Sequence, residues 1–353
     1  MRLKDLETPA LIVDLDILEQ NMSLAQAMAD RAGFALRPHY KSHKCTAIAH
    51  WQVAAGAKGI TCAKLDEAVD LAESGIEDIL IANEITDTAK LARLASLAKC
   101  CRLTVCVDQA ENIDALEAAA AAQDAVIHVM VEYDVGLNRC GLRNAEEFLA
   151  LAKRVAARPH LTFEGIHAYA GQLSHEASQD ARKAASAGYE AELKALKERV
   201  EVAGLPVRQV SGVSTGTITL RERGTVYTEA EVGSYLFMDA SYQQLQLPFR
   251  NSLFLLTSVI SLAGGLIITD AGCKSLGMDQ EPAVFSAYPD AAVNFSEEHA
   301  SIPQQGQETH IGDKLRMIPG HSCTTFNMHD YVYLFRGDRV VDKLPITSRG
   351  RSK

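Results

Sequence analysis

The sequence predicts an α/β protein: a (β/α)8 barrel of the TIM type followed by a C-terminal β-rich domain. Short apolar segments alternate with helical segments along most of the 353 residues. These segments are nearly continuous apolar runs, which are typical of parallel strands that are buried on both faces of the sheet. The alternation stops after Leu247–Pro248. At least about seven βα units over roughly 230 residues fit a barrel better than an open sheet.

Each predicted barrel strand is an apolar segment, and helical segments follow most of them. The predicted strands are Ala10–Leu15, Ala35–Tyr40, Gly59–Cys62, Ile79–Ala82, Leu103–Val107, Val126–Glu132, Leu161–Ala168, Val207–Ser211 and Val226–Phe237. The predicted helices are Ile17–Ala32, Leu65–Ser74, Thr86–Lys99, Ala110–Ala122, Ala145–Ala157 and His175–Ala203.

The C-terminal third has strand-like segments without helices between them, and Gly, Pro, Asp and Asn fill the gaps. This pattern is typical of a separate β-rich domain. We therefore predict a barrel over residues 10–247 and a β-rich domain over residues 248–353, to which residues 1–9 are expected to be joined. The predicted strands of this domain are Ser252–Leu262, Gly265–Ala271, His310–Ile318 and Tyr331–Phe335.

Composition excludes several classes of partner. The net charge of −10 and the absence of a basic cluster argue against nucleic acid. The longest apolar runs are too short and too interrupted to span a membrane. No apolar segment follows the N-terminal charges, and the eight cysteines show no CxxC or disulfide-like spacing. We therefore expect a cytoplasmic protein with reduced thiols.

The densest group of chemically active side chains is Arg37–Lys44 (RPHYKSHK), at the end of a predicted strand. The active site of a barrel enzyme lies at the C-terminal ends of its strands. Cationic neighbours and partial burial would lower the pKa of Lys41, as an amine nucleophile requires. By composition alone, the segment also fits a solvated basic loop.

Two further groups follow predicted strands. Asp134–Gly141 (DVGLNRCG) has the composition of a tight turn, from which Arg139 could reach a phenolate or phosphate oxygen. His167 and Tyr169 alternate with apolar residues, so they would share one face and could lie against a flat ring. An ordinary βα turn and a packed core would explain the same residues.

A phosphate cradle is predicted from the small polar residues after the last barrel strands. Ser214 and Thr215 lie in a Ser/Thr/Gly segment that follows a strand, and a group of Gly and hydroxyl residues could complete it. Barrels often bind phosphate after strands 7 and 8. The completing residues are Gly233, Ser234 and Tyr235.

A His-x-Cys pair, His321 and Cys323, occurs in the β-rich part of the chain. In an extended segment the imidazole and the thiol would lie on the same side. Both are ligands for Zn²⁺ and tolerable ones for Mn²⁺. Taken by itself, the pair also fits a buried cysteine beside a loop histidine.

Together these segments resemble one family over nearly the whole chain: the fold-type III pyridoxal-phosphate (PLP) enzymes that include D-threonine aldolases and eukaryotic-type D-serine dehydratases, distant relatives of alanine racemase. The RPHYKSHK match is the specific one. The resemblance rests on Asp5–Asp16, Arg37–Lys44, Asp134–Gly141, Gly165–Gln172, Tyr235–Asp239, Asp270–Lys274, Glu297–His299, Pro319–Cys323 and Arg349–Arg351.

The resemblance implies a role for each group. Lys41 would carry PLP as a Schiff base, with Arg139 near the phenolic oxygen and Tyr169 near the ring. His321 and Cys323 would bind a divalent metal (Zn, Mn or Mg) beside the cofactor. The substrate would be a small D-amino acid, and the protein would be a homodimer. The phosphate would be held by Ser214, Thr215, Gly233, Ser234 and Tyr235.

The resemblance leaves two lyase reactions open. In an aldolase, a base, for which His43 is the leading candidate, would take the proton of the β-hydroxyl and release glycine and an aldehyde. In a dehydratase of D-serine or D-3-hydroxyaspartate, Lys41 would remove the α-proton and give a 2-oxo acid and ammonia. Overall resemblance favours the aldolase, whereas Cys323 is typical of the dehydratase branch.

Two other functions are less favoured. An amino-acid racemase would need a tyrosine opposite Lys41, and Glu231 stands about where alanine racemase has an arginine facing the pyridine nitrogen. A non-catalytic PLP-binding protein would be a single barrel, whereas this sequence also predicts a β-rich domain and a metal pair.

Overall fold

The computed structural model, which describes residues 1–304, 306 and 308–353, contains two β-sheets in two units of the chain. The barrel unit consists of Ala25–Lys41, Ile48–Gly233 and Arg351–Lys353. The sheet unit consists of Met1–Leu24, Ser42–Ala47 and Ser234–Gly350. Neither unit is one continuous segment, unlike the predicted domains, because the chain passes between the units several times.

The strands of the described residues are numbered in chain order. They are β1 (Ala10–Asp14), β2 (Ala35–Leu36), β3 (Ile60–Cys62), β4 (Asp78–Ile81), β5 (Arg102–Val107), β6 (Ile127–Glu132), β7 (Leu161–His167), β8 (Gln209–Val213), β9 (Glu229–Ala230), β10 (Leu253–Ser261), β11 (Leu266–Thr269), β12 (Val284–Phe285), β13 (Asn294–Phe295), β14 (Ala300–Pro303), β15 (Lys314–Ile318), β16 (Tyr331–Arg336) and β17 (Arg339–Pro345).

The α-helices cover most of the predicted helical segments. They are α1 (Leu15–Ala32), α2 (Thr46–Ala54), α3 (Leu65–Glu73), α4 (Thr88–Leu97), α5 (Ala110–Ala121), α6 (Ala145–Ala156), α7 (Gln179–Val202), α8 (Ala240–Gln243) and α9 (Ser322–Phe326). The short helices α2, α8 and α9 were not predicted. Within the described part of the chain, every helix is too short or too polar to cross a membrane.

The barrel unit contains a sheet of eight parallel strands over the described residues, in the order β2-β9-β8-β7-β6-β5-β4-β3. Its two ends meet where His39 forms a parallel bridge with Thr61. There the Thr61 amide donates to the Pro38 carbonyl at 2.9 Å. The predicted fold class, a TIM-like barrel with a second β-rich part, is confirmed.

Glycine permits the close approach of strands on one side of the barrel. Gly165 and Gly212 have φ angles of +150° and +145°, which residues other than glycine rarely adopt. A Cβ on Gly165 would collide with the Gln209 carbonyl, and one on Gly212 with the Ala168 carbonyl. These glycines lie on β7 and β8, next to the residues that were predicted to carry function.

The prediction that Ala10–Leu15 is a barrel strand was wrong. This segment forms β1, which pairs antiparallel with β10 and parallel with β16. Leu11, Ile12 and Val13 are all buried. A strand that is apolar on both faces fits the interior of either sheet, so its composition does not indicate which sheet it joins. The predicted strand Val226–Phe237 is also shorter, because only β9 is extended and paired.

The sheet unit is built around a mainly antiparallel sheet. Its strands follow the order β13-β14-β11-β10-β1-β16-β17, and β15 pairs with both β10 and β12. Residues from these strands form one buried apolar cluster, which includes Leu255, Val259, Ile267, Phe285 and Met317. The predicted β-rich architecture is therefore present, with α8 and α9 in the connections.

A buried arginine joins three strands of the barrel. The Arg37 side chain is fully buried just after β2, and its Nε donates to Glu229 Oε1 on β9 at 3.1 Å. Its Nη1 and Nη2 donate to the Asp78 carboxylate on β4 at 2.8 and 3.2 Å. Lys58 Nζ donates to Glu229 Oε2 at 3.1 Å. Burial by itself disfavours the charged form, but Glu229 and Asp78 raise the pKa of Arg37.

We predict that Arg37→Met lowers the free energy of unfolding by about 3–5 kcal/mol, because it leaves the buried Glu229 carboxylate without its main partner. Urea denaturation at neutral pH measures this change. Arg93→Met is the matched control: Arg93 pairs with Asp66 at 2.6 Å but is about half exposed, so its loss is expected to matter little. Equal losses in the two variants would contradict the assignment.

Candidate active site

A cavity of about 170 Å³ lies in the barrel unit at the C-terminal ends of its strands. This is the face on which barrel enzymes carry their active sites. The structure brings four of the predicted site residues together here: Lys41, Arg139, His167 and Tyr169. The residues that line the cavity are His39, Lys41, Ala63, Ala82, Asn83, Arg139, His167, Tyr169 and Glu231.

Two cationic side chains lie near the ring of Tyr169. Lys41 Nζ is 5.7 Å from the ring centroid, and Arg139 Cζ is 5.8 Å from it. Both distances fall within the range of cation–π attraction. Lys41 occupies a short helical turn, Tyr40–Ser42, just after β2. This turn and the segment that carries Arg139 thus place a primary amine and a guanidinium near one aromatic ring in the cavity.

The segment that carries Arg139 is the tight turn that its composition predicted. The Asp134 carboxylate accepts hydrogen bonds from the amides of Gly136 at 2.8 Å and Asn138 at 3.2 Å. Gly136 and Asn138 have φ angles of +102° and +58°, a conformation that glycine and asparagine tolerate best. Arg139 Nη2 lies 3.5 Å from Glu132 Oε1, so the turn and a strand-end carboxylate orient the guanidinium together.

His167 lies between two buried carboxylates. Its Nε2 is 3.0 Å from Glu231 Oε1, and its Nδ1 is 3.3 Å from Glu132 Oε2. At neither nitrogen do the angles meet hydrogen-bond geometry, so these contacts are ion pairs rather than aligned hydrogen bonds. The Ser211 hydroxyl donates to Glu231 Oε1 at 2.6 Å. Together these groups form a charged array with its central cation enclosed.

The charges of this array follow from its neighbours. Burial alone would lower the pKa of His167, but Cys106, Glu231 and Glu132 raise it well above its usual value. Burial raises the pKa of Cys106 to about 12, which favours its neutral thiol, so the raised pKa of His167 is due mainly to the two carboxylates and not to a thiolate. Burial opposes ionisation of Glu132 as well, yet His167 and Arg139 lower its pKa. The two carboxylates therefore favour the imidazolium form of His167.

Two groups of metal-ligand type occur among the described residues of the barrel unit. In the first, ligand atoms of Cys106, Glu132 and His167 lie within 4.8 Å of one another, but His167 and Glu132 already form an ion pair there. The second group comprises Glu84, Asp108 and Cys140. Burial, Glu132 and Asp108 raise the pKa of Glu84 to about 7. Neither group includes the predicted metal pair.

The predicted phosphate residues divide between the units. In the barrel unit, the Gly233 amide donates to Thr215 Oγ1 at 3.3 Å, and the Ser214 amide donates to Thr217 Oγ1 at 3.0 Å. The loop after β8 therefore meets the segment after β9. Ser234 and Tyr235 are buried in the sheet unit, where the Tyr235 ring contacts Phe249 at a centroid distance of 5.8 Å.

The candidate base His43 is fully buried in the sheet unit. Its Nδ1 accepts a hydrogen bond from the Cys45 amide at 3.2 Å, and its ring packs edge-to-face on Phe237 with centroids 6.0 Å apart. A neutral imidazole that accepts at Nδ1 carries its proton on Nε2. His43 can therefore take up a proton at Nδ1 only when the Cys45 contact is broken.

His321 and Cys323 lie at the start of α9 in the sheet unit. His321 Nδ1 is 2.8 Å from Asp279 Oδ2. Burial would lower the pKa of His321, but Cys323 and Asp279 raise it to about 9. Cys323 lies within a helix and not in the extended segment that was expected, yet its thiol interacts with the imidazole. Together they offer a nitrogen and a sulfur donor.

Sequence reasoning did not select Glu132 or Asn83, although both lie at the cavity or its array. Glu132 is the last residue of the predicted strand Val126–Glu132, and a carboxylate at the C-terminal end of a barrel strand is itself a functional indication. Asn83 follows the predicted strand Ile79–Ala82 in the same way. In the sequence, Glu231 stands out only as a departure from alanine racemase.

Known families match almost the whole chain. The family of the alanine racemase N-terminal domain matches residues 13–241, and a serine dehydratase domain matches residues 252–335. The chain is 37% identical to the 3-hydroxy-D-aspartate aldolase of Paracoccus denitrificans (strain Pd 1222), over 98% of this chain and 93% of that protein. It is also 37% identical to the D-threonine aldolase of Arthrobacter sp, over 98% and 94% respectively.

Solved structures agree with these matches. The D-threonine aldolase from Filomicrobium marinum superimposes with a TM-score of 0.97 at 35% identity, over 100% of this chain and 98% of that one. The D-threo-3-hydroxyaspartate dehydratase from Delftia sp. HT23 superimposes with a TM-score of 0.89 at 26% identity, over 98% of each chain. These relatives are aldolases and a dehydratase, so the similar proteins are lyases.

We predict that Glu231→Gln lowers the pKa of His167, because it removes one of the carboxylates that hold the imidazolium in a buried place. The stability that the raised pKa provides is fully present below about pH 6.5, the unfolded value, and decreases as the pH rises toward the folded value. In the variant, the free energy of unfolding should therefore decrease less steeply as the pH rises.

Nuclear magnetic resonance titration of the histidine rings, together with urea denaturation from pH 6 upward, measures both effects. Glu117→Gln is the control: Glu117 lies 2.8 Å from His160, which is partly exposed, and its loss should leave His167 unchanged. An unaltered His167 titration in Glu231→Gln would show that Glu231 does not hold the charge.

Proposed function

Because the chain belongs to the alanine racemase N-terminal domain family, together with aldolases and dehydratases of D-amino acids, we propose that it is a PLP- and divalent-metal-dependent lyase acting on D-β-hydroxy amino acids. The reaction that we favour is retro-aldol cleavage of the D-threonine aldolase type, which yields glycine and an aldehyde. The observation that carries the proposal is the Lys41 amine in a cavity at the carboxyl ends of the barrel strands.

The cavity fits PLP by the chemistry of its lining. Lys41 offers an amine for the cofactor's aldehyde, and Arg139 a cation for its phenolic oxygen. The His167 nitrogens and one Glu132 oxygen are buried without aligned hydrogen-bond partners, a pattern suited to a site that holds a polar group. PLP, when bound, supplies the electron sink that makes a bond at the substrate's α-carbon labile.

The protein's own residues would hold and orient the cofactor. Glu132 positions Arg139, and the His167 imidazolium balances the charges of Glu132 and Glu231 in the barrel interior. These ion pairs would keep the lining in place when a charged substrate enters. We propose that the phosphate is held by Ser214, Thr215, Gly233, Ser234 and Tyr235.

His321 and Cys323 would hold the divalent metal. Imidazole and thiolate together favour Zn²⁺, whereas Mg²⁺ prefers oxygen ligands and Mn²⁺ is intermediate. Such a metal acts as a Lewis acid on a coordinated oxygen. The interaction of the His321 imidazole with Cys323 supports this choice of donors.

Proton transfer in the aldolase reaction requires a base for the substrate's β-hydroxyl. We keep His43 for this role, with the condition that its Nδ1 gives up the hydrogen bond from the Cys45 amide. The Lys41 amine lies in the cavity. It would serve as the base for the α-proton in the alternative reaction.

The second candidate function is a D-serine or D-3-hydroxyaspartate dehydratase, and Cys323 is the residue that favours it. Both reactions use the same cofactor, amine and metal pair, so the choice depends on which proton is removed first. By resemblance to the same family we also propose a homodimer.

We predict that purified wild-type protein reconstituted with PLP has the visible absorption band of a lysine-bound cofactor, and that Lys41→Ala lacks both this band and activity. Borohydride should fix the cofactor to the wild type only. Lys44→Ala, which removes the neighbouring lysine, is the control and should retain the band. A wild-type protein that remains colourless after reconstitution would overturn the proposal.

We predict that D-threonine with Mn²⁺ or Zn²⁺ gives glycine and acetaldehyde, and that L-threonine gives neither. The assay measures glycine, pyruvate and 2-oxobutyrate after incubation with D-threonine and D-serine. Production of 2-oxo acids without glycine would replace the aldolase by the dehydratase. Racemisation of a single enantiomer without cleavage would contradict both lyase reactions.

A further inference from the structure

We infer that Asp279 is a positioning residue for the metal site at His321 and Cys323. Its carboxylate holds Nδ1 of the His321 ring and thereby leaves Nε2 as the nitrogen that faces the metal. The inference rests on the metal pair of the proposed function, and it adds a residue that the sequence did not indicate.

The geometry at Asp279 assigns one partner to each carboxylate oxygen. Oδ2 lies 2.8 Å from His321 Nδ1, and Oδ1 accepts a hydrogen bond from Thr324 Oγ1 at 2.7 Å. The His321 side chain is only 14% exposed, whereas that of Asp279 is 50% exposed. Thr324 thus fixes a carboxylate that would otherwise be free to rotate at the surface.

The segment that carries Asp279 is tightly joined to the segment that carries the metal pair. The His321 amide donates to the Gly277 carbonyl at 2.9 Å, and the Gly277 amide donates to Thr325 Oγ1 at 2.9 Å. Thr325 Oγ1 in turn donates to the His321 carbonyl at 2.7 Å. The backbone around His321 is therefore held on both sides, which fixes the position of the Cα atom from which its side chain extends.

Glycine at two positions allows this close contact. A Cβ on Gly277 would collide with Thr324 Oγ1, and one on Gly320 would collide with the Glu281 carbonyl. Residues 277–281 and 320–325 can approach this closely only because neither glycine has a side chain. Asp279 lies in the middle of the first segment, so its reach toward His321 is determined by contacts on both of its sides.

A carboxylate in this position has a defined chemical effect. A histidine that ligates a metal usually donates its other ring N–H to a carboxylate or carbonyl, which fixes the tautomer and the ring plane and makes the ligating nitrogen more basic. With Nδ1–H directed at Asp279, Nε2 is the nitrogen left for the metal, which would replace the proton there. Cys323, which interacts with the same ring, supplies the second donor.

The test measures metal affinity rather than turnover. The full-length protein, loaded with PLP and stripped of metal with a chelator, is titrated with Co²⁺, whose absorption reports both thiolate ligation and coordination geometry. We expect Asp279→Ala to weaken Co²⁺ binding about 10–100-fold and to shift the absorption spectrum. Asp279→Asn, whose carbonyl oxygen can still accept from Nδ1–H, should recover part of the affinity.

Two further variants keep the result interpretable. Thr324→Val removes only the hydroxyl that orients Asp279, and we expect a smaller loss of affinity in the same direction. Asp313→Ala is the control: Asp313 lies 3.6 Å from His310 in another, exposed histidine–aspartate pair of the sheet unit, and its loss should not alter Co²⁺ binding. Circular dichroism and thermal unfolding verify that each variant is folded.

The outcomes separate this inference from the proposed function. If His321→Ala and Cys323→Ser bind Co²⁺ as the wild type does, the proposed metal site is wrong. If those variants lose binding while Asp279→Ala and Thr324→Val keep wild-type affinity and spectrum, the metal site stands and the role of Asp279 is overturned. Should Asp279→Ala fail to fold, unchanged binding by Asp279→Asn and Thr324→Val together would equally overturn it.

Discussion

The barrel depends on the pairing of a charge that its closure buries. Arg37 follows the first barrel strand and has no solvent exposure, so its guanidinium must be paired within the protein. Glu229 and Asp78, on strands that are far apart in the sequence, provide that pairing. The two ends of the sheet meet in the same region, at His39 and Thr61. Any arrangement that separated these strands would leave an unpaired charge in the protein interior.

The same rule governs the candidate active site. His167 is enclosed between Glu132 and Glu231, and Glu132 also faces Arg139. The charges of His167 and Arg139 are thus matched by those of Glu132 and Glu231. His167, Arg139 and Glu231 line the same cavity as Lys41, whose amine is the group that we propose to react. The candidate site thus combines paired charges with an amine and a cation that line the cavity.

In the sheet unit, a different set of contacts holds a short helix and its preceding histidine in a defined orientation. Tight glycine contacts and a chain of hydroxyl and amide hydrogen bonds join residues 277–281 to residues 320–325. Orientation of the His321 ring then depends on a side chain that is distant in the sequence. The proposed metal site has few ligands and would need this support, because ring orientation contributes to affinity as ligand number does.

The amino-acid sequence was enough to predict the fold class, the succession of most strands and helices, and the candidate site residues at strand ends. It could do so because parallel strands are buried on both faces and because barrel sites lie at carboxyl strand ends. Lys41, Arg139, His167 and Tyr169 were found in this way. Motif resemblance added the roles that residue type left open.

Contacts in the folded chain were needed to establish which sheet β1 joins and which charges are paired, and to infer which residues support the proposed metal pair. The sequence of an apolar strand such as β1 does not indicate which strands pair with it. The partners of Arg37, His167 and His321 are separated from them by many residues, and each contact exists only when the intervening chain has folded. Such pairings depend on distance in space, which composition, periodicity and spacing do not encode.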